Sequence, residues 1–305
     1  MKTSNTTKEK PTEFPSVSVI IPHYNDSRIE LCVAAIVSQS YSNIEIVVVD
    51  NGSDEFPPPS LAKYRDVVVL QEKKAGSYAA RNCGIEGSSG DIVAFTDSDC
   101  IPSQDWIRHA VEVLATEETA GFVGGPVELF AAEPDRPTAA EALDMVIAFP
   151  QQDHVEKGGF SATANMVTRR STIEKMGPFN DQLKSGGDRE WGQRVTAAGN
   201  KGTFCEGVLV WHPARATLNE LLVQARRHTG GNVQRGKLPN EKKRGLLRLL
   251  ARLTIGSLSR LKRVLASDKV RGWLKFRVCF VFIYIETAKY FERCRLYFGG
   301  TAERN

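Results

Sequence analysis

Two carboxylates one residue apart, Asp97 and Asp99, close the apolar run Val93-Ala94-Phe95-Thr96. A carboxylate at the edge of a core is costly without a counter-charge, so such a pair asks for a cation, and a divalent ion is the simplest candidate. Other groups able to do chemistry also sit where apolar stretches end. Asp50 ends IEIVVVD, Pro22-His23-Tyr24-Asn25 ends VSVII, and His212 follows LVW. A second acidic pair, Asp188 and Glu190, stands in SGGDREW (185–191). Taken singly, each has an ordinary alternative. Asp, Asn, Ser and Gly build turns and helix caps, and Asp188 with Glu190 suits the first turn of a helix.

The elements that must position these groups alternate along the chain. VSVIIP (17–22), IEIVVVD (44–50), VVVLQ (67–71) and DIVAFTD (91–97) read as strands, with helical segments at 29–39, from Ser77, and at 104–114. Near-continuous Val/Ile runs separated by helix-length segments predict parallel strands covered on both faces, an open α/β sheet. In such sheets ligands gather at the carboxyl ends of the strands, where these polar clusters fall. Further on, GFVGGPVELF (121–130), FSATANMVTRR (160–170) and GTFCEGVLVWHP (202–213) each predict a strand, and 138–149 a helix. QQDHVEKGG (151–159) reads as a mobile loop on the acceptor side. No linker-like composition interrupts residues 15–235, so they are expected to form one domain, with 15–115 and 116–235 as its halves.

Residues 1–14 are polar and read as a loose tail rather than a targeting signal. Six cysteines show no C-x-x-C spacing, which points to reduced thiols in a cytoplasmic protein. The net charge of +4 is unevenly spread. Residues 241–305 hold sixteen Lys or Arg against five Asp or Glu, a balance of +11, which leaves −7 for residues 1–240. The basic character therefore belongs to a C-terminal extension, 236–305.

In order and spacing, VSVIIPHYN, IEIVVVDNGSDE, AGSYAARNCGI, DIVAFTDSDCIP, SGGDREWGQRV and VWHPAR resemble a family 2 glycosyltransferase of the GT-A fold, over about residues 15–230. The resemblance implies an open, mostly parallel sheet flanked by helices. It implies transfer of a sugar from a nucleotide donor, a UDP-sugar favoured, to a glycan or lipid-linked hydroxyl, with inversion, in cell-surface or exopolysaccharide synthesis. By the same resemblance Asp50 accepts from the donor base, and Pro22, Tyr24, Asn25, Arg81, Asp97 and Ser98 complete the nucleotide pocket. Asp99, with Asp97 and His212, would hold Mn2+ or Mg2+, and Asp188 would be the base that takes the acceptor proton. Two departures stand out. Gly187 occupies the place of a glutamate before Asp188, which leaves Glu190 as a rival base. Gln224-Ala225-Arg226-Arg227-His228 resembles the Q-x-x-R-W element of processive members, with His228 for the tryptophan, and favours one sugar per encounter.

The extension pairs Leu246, Leu247, Leu250, Leu253, Ile255, Leu258 and Leu261 with many basic residues, then continues into WLKFRVCFVFIYIETAKYF (273–291). The uncharged stretch 278–285 is too short to span a bilayer. Basic, amphipathic helices over 242–295 suit an anionic membrane surface, at the inner face of the membrane in a cytoplasmic protein, or else packing on the protein or on a second copy. Nothing resembling a base-reading module accompanies them, so nucleic acid is not an expected partner. Two other functions remain: a non-catalytic sugar-nucleotide-binding scaffold at a membrane, and phosphoryl transfer through the D-S-D motif. The motif's place on the fourth strand and its continuation Cys100-Ile101-Pro102 argue against the latter.

Overall fold

The computed structural model describes residues 14–234, 257–268 and 270–302. The expected tail before Phe14 and the leucines of the extension up to Ile255 lie outside the described residues. Seven strands form the main sheet, in the order β3-β2-β1-β4-β8-β6-β9. They are β1 (Val17–His23), β2 (Ile44–Asp50), β3 (Val67–Gln71), β4 (Ile92–Phe95), β6 (Ala120–Gly124), β8 (Met166–Arg169) and β9 (Lys201–Phe204). All run parallel except β8, which lies antiparallel between β4 and β6. The first strands are laid down outward from β1 to β3, and β4 then returns to the other side of β1. That reversal opens a crevice at the carboxyl ends of β1 and β4, the usual ligand position in open sheets.

Alternation along each strand splits the core into two layers. Val17, Val19 and Ile21 pack with Val48, Ala94 and the helices α1 (Ile29–Val37) and α3 (Trp106–Thr116). Ile20, Val47, Val49, Val93 and Phe95 face the opposite way, against α2 (Ser77–Glu86) and α7 (Gly187–Ala197). Each Val or Ile taken fully out of water contributes about 1.5–3 kcal/mol, so the central strands are firm supports for the loops that leave them. Gly84 lets α2 lie close on β1 and β2, because a Cβ there would stand 2.4 Å from Ile20 Cγ2.

Two of the expected long strands are each broken in two. GFVGGPVELF yields β6 and then β7 (Val127–Phe130), and residues 202–213 contribute to β9 and β10 (Val210–Pro213). A Cβ at Gly125 would lie 1.9 Å from the Val208 carbonyl oxygen, so the two breaks cross where only glycine fits. With β5 (Ile101–Pro102), strands β7 and β10 make a small sheet in the order β5-β10-β7. The stretch expected as the loop 151–159 instead forms α5 (Gln151–Glu156). Gln151 is buried there and bonds to Ser161 and to the backbone at 162, which satisfies its amide inside the fold. The expected strand 160–170 is regular only from Met166; a 3-10 turn fills Thr163–Asn165. Residues 170–176 form α6 (Arg170–Met176).

After α8 (Leu218–Gln234), the described part of the extension contains a helix over 257–266 (α9) and α10 (Gly272–Tyr297). Val278, Phe282 and Ile285 of α10 are buried against Ala139 and Leu143 of α4 (Ala139–Ile147) and Leu221 and Ala225 of α8. One face of the extension is thus part of the protein core. No helix among the described residues is long and apolar enough to cross a membrane.

Candidate active site

The carboxyl ends of β1, β2 and β4 bring three acidic groups into the crevice. Asp97 follows β4, and its carboxylate pairs with Arg81 of α2, whose guanidinium is almost fully buried. Asp99 is reached from two sides. Arg28 Nη2 lies 3.3 Å from its Oδ2 while also gripping Asp26, and His212 Nε2 lies 3.5 Å from the same oxygen. Ser98 donates to Asp26 at 3.2 Å, which fixes the turn between the two acids.

The small sheet explains how His212, far along the chain, reaches Asp99. Strand β10 pairs antiparallel with β5, immediately downstream of the D-S-D turn. His212 Nδ1 lies 2.6 Å from the Pro213 carbonyl oxygen. A carbonyl only accepts, so Nδ1 carries a proton, and Nε2 is the ring nitrogen turned to Asp99. The space between an imidazole nitrogen and a carboxylate oxygen takes a positive charge, either a proton or a metal ion. Ligand atoms of Asp97, Asp99, Cys100 and His212 all lie within 4.8 Å of one another. Burial raises the pKa of Asp99, with Asp97 adding to the effect and His212 opposing it. Burial also pushes the Cys100 thiol well up, so it stays protonated and is a poor ligand. Two carboxylates and one imidazole remain, a set that fits a hard divalent cation.

Beside this cluster, Asp50 is fully buried at the end of β2. Its Oδ2 accepts from the backbone N–H groups of Gly52 and Ser53, both at 3.2 Å. Oδ1 finds no partner among the described residues, and neither does His23 Nδ1 on the adjoining strand end. Leaving a buried carboxylate oxygen unpaired costs about 1–3 kcal/mol or more, so such an atom marks a place for an incoming donor. Burial lowers the pKa of His23, against the pull of Asp50, and keeps its ring neutral. Asn25 has φ 46° and is tied to the opposite loop by bonds to Ser53 and Asp54, while Tyr24 stands exposed at the rim. Pro22 lies within β1, opposite Val49.

Across the crevice, Gly186 with φ 76° turns the chain into α7. Asp188 therefore sits inside the first turn rather than at the cap. Tyr78 of α2 donates to Asp188 Oδ1 at 3.3 Å. Glu190 is bound by Arg194 one turn on, at 3.1 and 3.3 Å to its two oxygens. The structure thus brings Asp50, Arg81, Asp97, Asp99, His212 and Asp188 around one crevice and ties Glu190 to its own helix.

Five participants were given no site role from the sequence: His23, Asp26, Arg28, Tyr78 and Arg227. The first three immediately follow the apolar part of β1, and Tyr78 lies three residues before Arg81, one helical turn away. Arg227, in the Q-A-R-R-H segment of α8, is open to solvent yet within electrostatic reach of Tyr78, Asp97 and Asp188, with Arg215 beside it.

Comparison with known proteins gives this arrangement a family. The model of glycosyl transferase family 2 matches residues 18–176. Glycosyltransferase AglE of Haloferax volcanii is 36% identical over 263 residues, covering 84% of this chain and 85% of its own. Pre-mycofactocin glycosyltransferase of Mycobacterium tuberculosis is 27% identical over 230 residues, 70% of this chain and 47% of that protein. Among solved structures, the mannosyltransferase PcManGT from Pyrobaculum calidifontis, in complex with GDP-Man and Mn2+, superposes with a TM-score of 0.64. It is 18% identical and the match covers 93% of this chain and 88% of that one, a likeness of GT-A fold. The chain belongs to glycosyl transferase family 2 and is a transferase.

Proposed function

We propose that this enzyme transfers one sugar per encounter from a nucleoside diphosphate donor to an acceptor hydroxyl, with inversion and with Mn2+ or Mg2+ held by Asp99, Asp97 and His212. The observation that carries the reading is the meeting of those ligand atoms beside the unpartnered oxygen of Asp50. Asp50 Oδ1 accepts from an N–H on the base edge, an interaction open to uracil and to guanine alike. The resemblance favours a uridine donor, whereas the Pyrobaculum neighbour carries GDP-Man. A bound cation there offsets the charge that develops on the departing diphosphate. Arg81 keeps Asp97 oriented, and Tyr24, Asn25, Pro22 and Ser98 form the walls of the nucleotide pocket.

Asp188 is the base in this reading. It takes the proton of the acceptor hydroxyl while the new C–O bond forms at the anomeric carbon and the bond to the diphosphate oxygen breaks. Glu190 is a poorer choice because Arg194 already holds both its oxygens. The acceptor is a glycan or lipid-linked hydroxyl presented at an anionic membrane surface. Support comes from the row of exposed aromatic side chains on α10, with Arg277 on the same face.

Calorimetric titration with UDP, GDP and dTDP, with Mn2+ and then with chelator, tests the donor site. One nucleotide should bind only with metal, and Asp99→Ala should abolish that binding in a folded sample. Equal binding by wild type and Asp99→Ala would overturn the metal assignment, and failure of all three nucleotides to bind would overturn the donor site.

A further inference from the structure

Gly187 stands where the family resemblance has a glutamate, and the fold supplies a reason. A Cβ on Gly187 would lie 2.9, 2.9 and 3.0 Å from Cε2, Cζ and Cδ2 of the Tyr78 ring. Those are the three nearest atoms, so the phenol is the first group that a side chain at 187 would meet. The ring has little room to retreat, being buried and packed against Phe179 at a centroid distance of 5.8 Å. Its hydroxyl ends on Asp188 Oδ1, which also accepts from the Arg189 N–H at 2.8 Å.

Tyr78 belongs to the same helical turn as Arg81. While Tyr78 reaches Asp188, Arg81 pairs with Asp97, and the guanidinium carbon lies 5.8 Å from the Tyr78 ring centroid. One turn of α2 therefore spans the carboxylate assigned to the donor and the carboxylate assigned to the acceptor.

Resting on the function proposed above, we propose that Tyr78 is a positioning residue for the base. It takes over the place of the absent glutamate, orients Asp188 through its hydroxyl, and fixes the distance from Asp188 to the donor site through the shared turn with Arg81. Gly187 is the necessary complement, since any larger residue would displace the ring. Burial, reinforced by the charge of Asp188, raises the phenol pKa, so Tyr78 remains a donor throughout the neutral range. A tyrosine also suits the task chemically. It can give a hydrogen bond to the carboxylate without adding a second negative charge, which would compete for the acceptor proton.

Two variants and one cycle test this. Tyr78→Phe keeps the ring and removes the hydroxyl, so kcat should fall by about tenfold or more, the worth of a hydrogen bond to a charged group. KM for the donor and the Kd for nucleotide with Mn2+ should stay within about twofold of wild type, an effect confined to the step Asp188 serves. Gly187→Ala should lower Tm in the wild-type background and cost little in Tyr78→Ala, where the ring is gone. Wild-type transfer with kcat unchanged in Tyr78→Phe would overturn the proposal, as would an equal Tm loss from Gly187→Ala in both backgrounds. A folded wild-type protein that binds nucleotide but transfers no sugar would instead overturn the function reading, and the role of Tyr78 with it.

Discussion

Asp188 and Glu190 show how the same residue type, two positions apart, acquires different work. On a helix these neighbours point about 200° apart, so only one can face the crevice. Glu190 spends its charge on Arg194, which in turn donates to the carbonyls of Met176 and Pro178 and ties α7 to the preceding loop. Glu190→Gln should therefore cost about 0.3–1 kcal/mol of stability, because the pair is a third exposed and screened by solvent. It should leave kcat within about threefold of wild type, a factor worth about 0.7 kcal/mol of barrier. Asp188→Asn should cost about a hundredfold or more in kcat, the usual share of a general base, with Tm little changed. Steady-state kinetics beside thermal melts check both, and a larger kcat loss in Glu190→Gln than in Asp188→Asn would reverse the assignment. Asp50, Asp97 and Asp99 were legible in the sequence because they close apolar strands, and Asp188 and Glu190 because they follow a pair of glycines at a helix start. Their partners were not: Arg28, Tyr78 and Arg227 come from helices and loops whose approach to the crevice depends on packing.

The helix α2 links this chemistry to the sheet. Its floor is set by Gly84, where a methyl group would meet Ile20 at 2.4 Å and Val49 at 3.1 Å, both buried in the central strands. Gly84→Ala should cost about 1–3 kcal/mol through overpacking, offset in part by the better helix propensity of alanine. Because the same helix carries Tyr78 and Arg81, the displacement should also lower kcat. A melt paired with a transfer assay reads both, and an unchanged Tm would mean that α2 does not bear on β1 at this point. At this scale the parallel strands and their order of appearance were readable from Val/Ile runs. The breaks at Gly125 and after Phe204 were not, since glycine inside an apolar run gives no sign of which backbone will cross it. Those breaks matter most for function, because they create the small sheet that returns His212 to Asp99.

The whole molecule has an asymmetry that neither scale explains alone. On α10, Val278, Phe282 and Ile285 point into the protein, while Trp273, Phe276, Phe280, Ile283, Tyr284 and Phe291 are exposed along the opposite side, the first three to more than 70%. A soluble surface seldom keeps so long an apolar row uncovered. The sequence could report that this segment is basic and aromatic, but not which side the core would claim. Between α10 and the crevice lies α8, which turns Leu221 and Ala225 to α10 and places Arg227 within reach of Asp97 and Asp188. Two helix layers, α10 and α8, with roughly 8–10 Å between packed axes, thus separate the aromatic row from the site. A bilayer against that row would present a lipid-linked acceptor on the side of the molecule from which α8 reaches the crevice, with Arg277, on the same face as the row, adding about 1 kcal/mol on anionic lipid. The full chain should float with phosphatidylglycerol vesicles, and less with phosphatidylcholine or at high salt. Replacing Trp273, Phe276 and Phe280 by glutamate should reduce the partition coefficient by about a thousandfold or more, at about 1.5–3 kcal/mol per aromatic side chain, with Tm and metal-dependent nucleotide binding retained. Undiminished flotation of that variant would remove α10 from the membrane contact. A wild-type dimer that the same substitutions turn into a monomer would assign the row to a second copy instead.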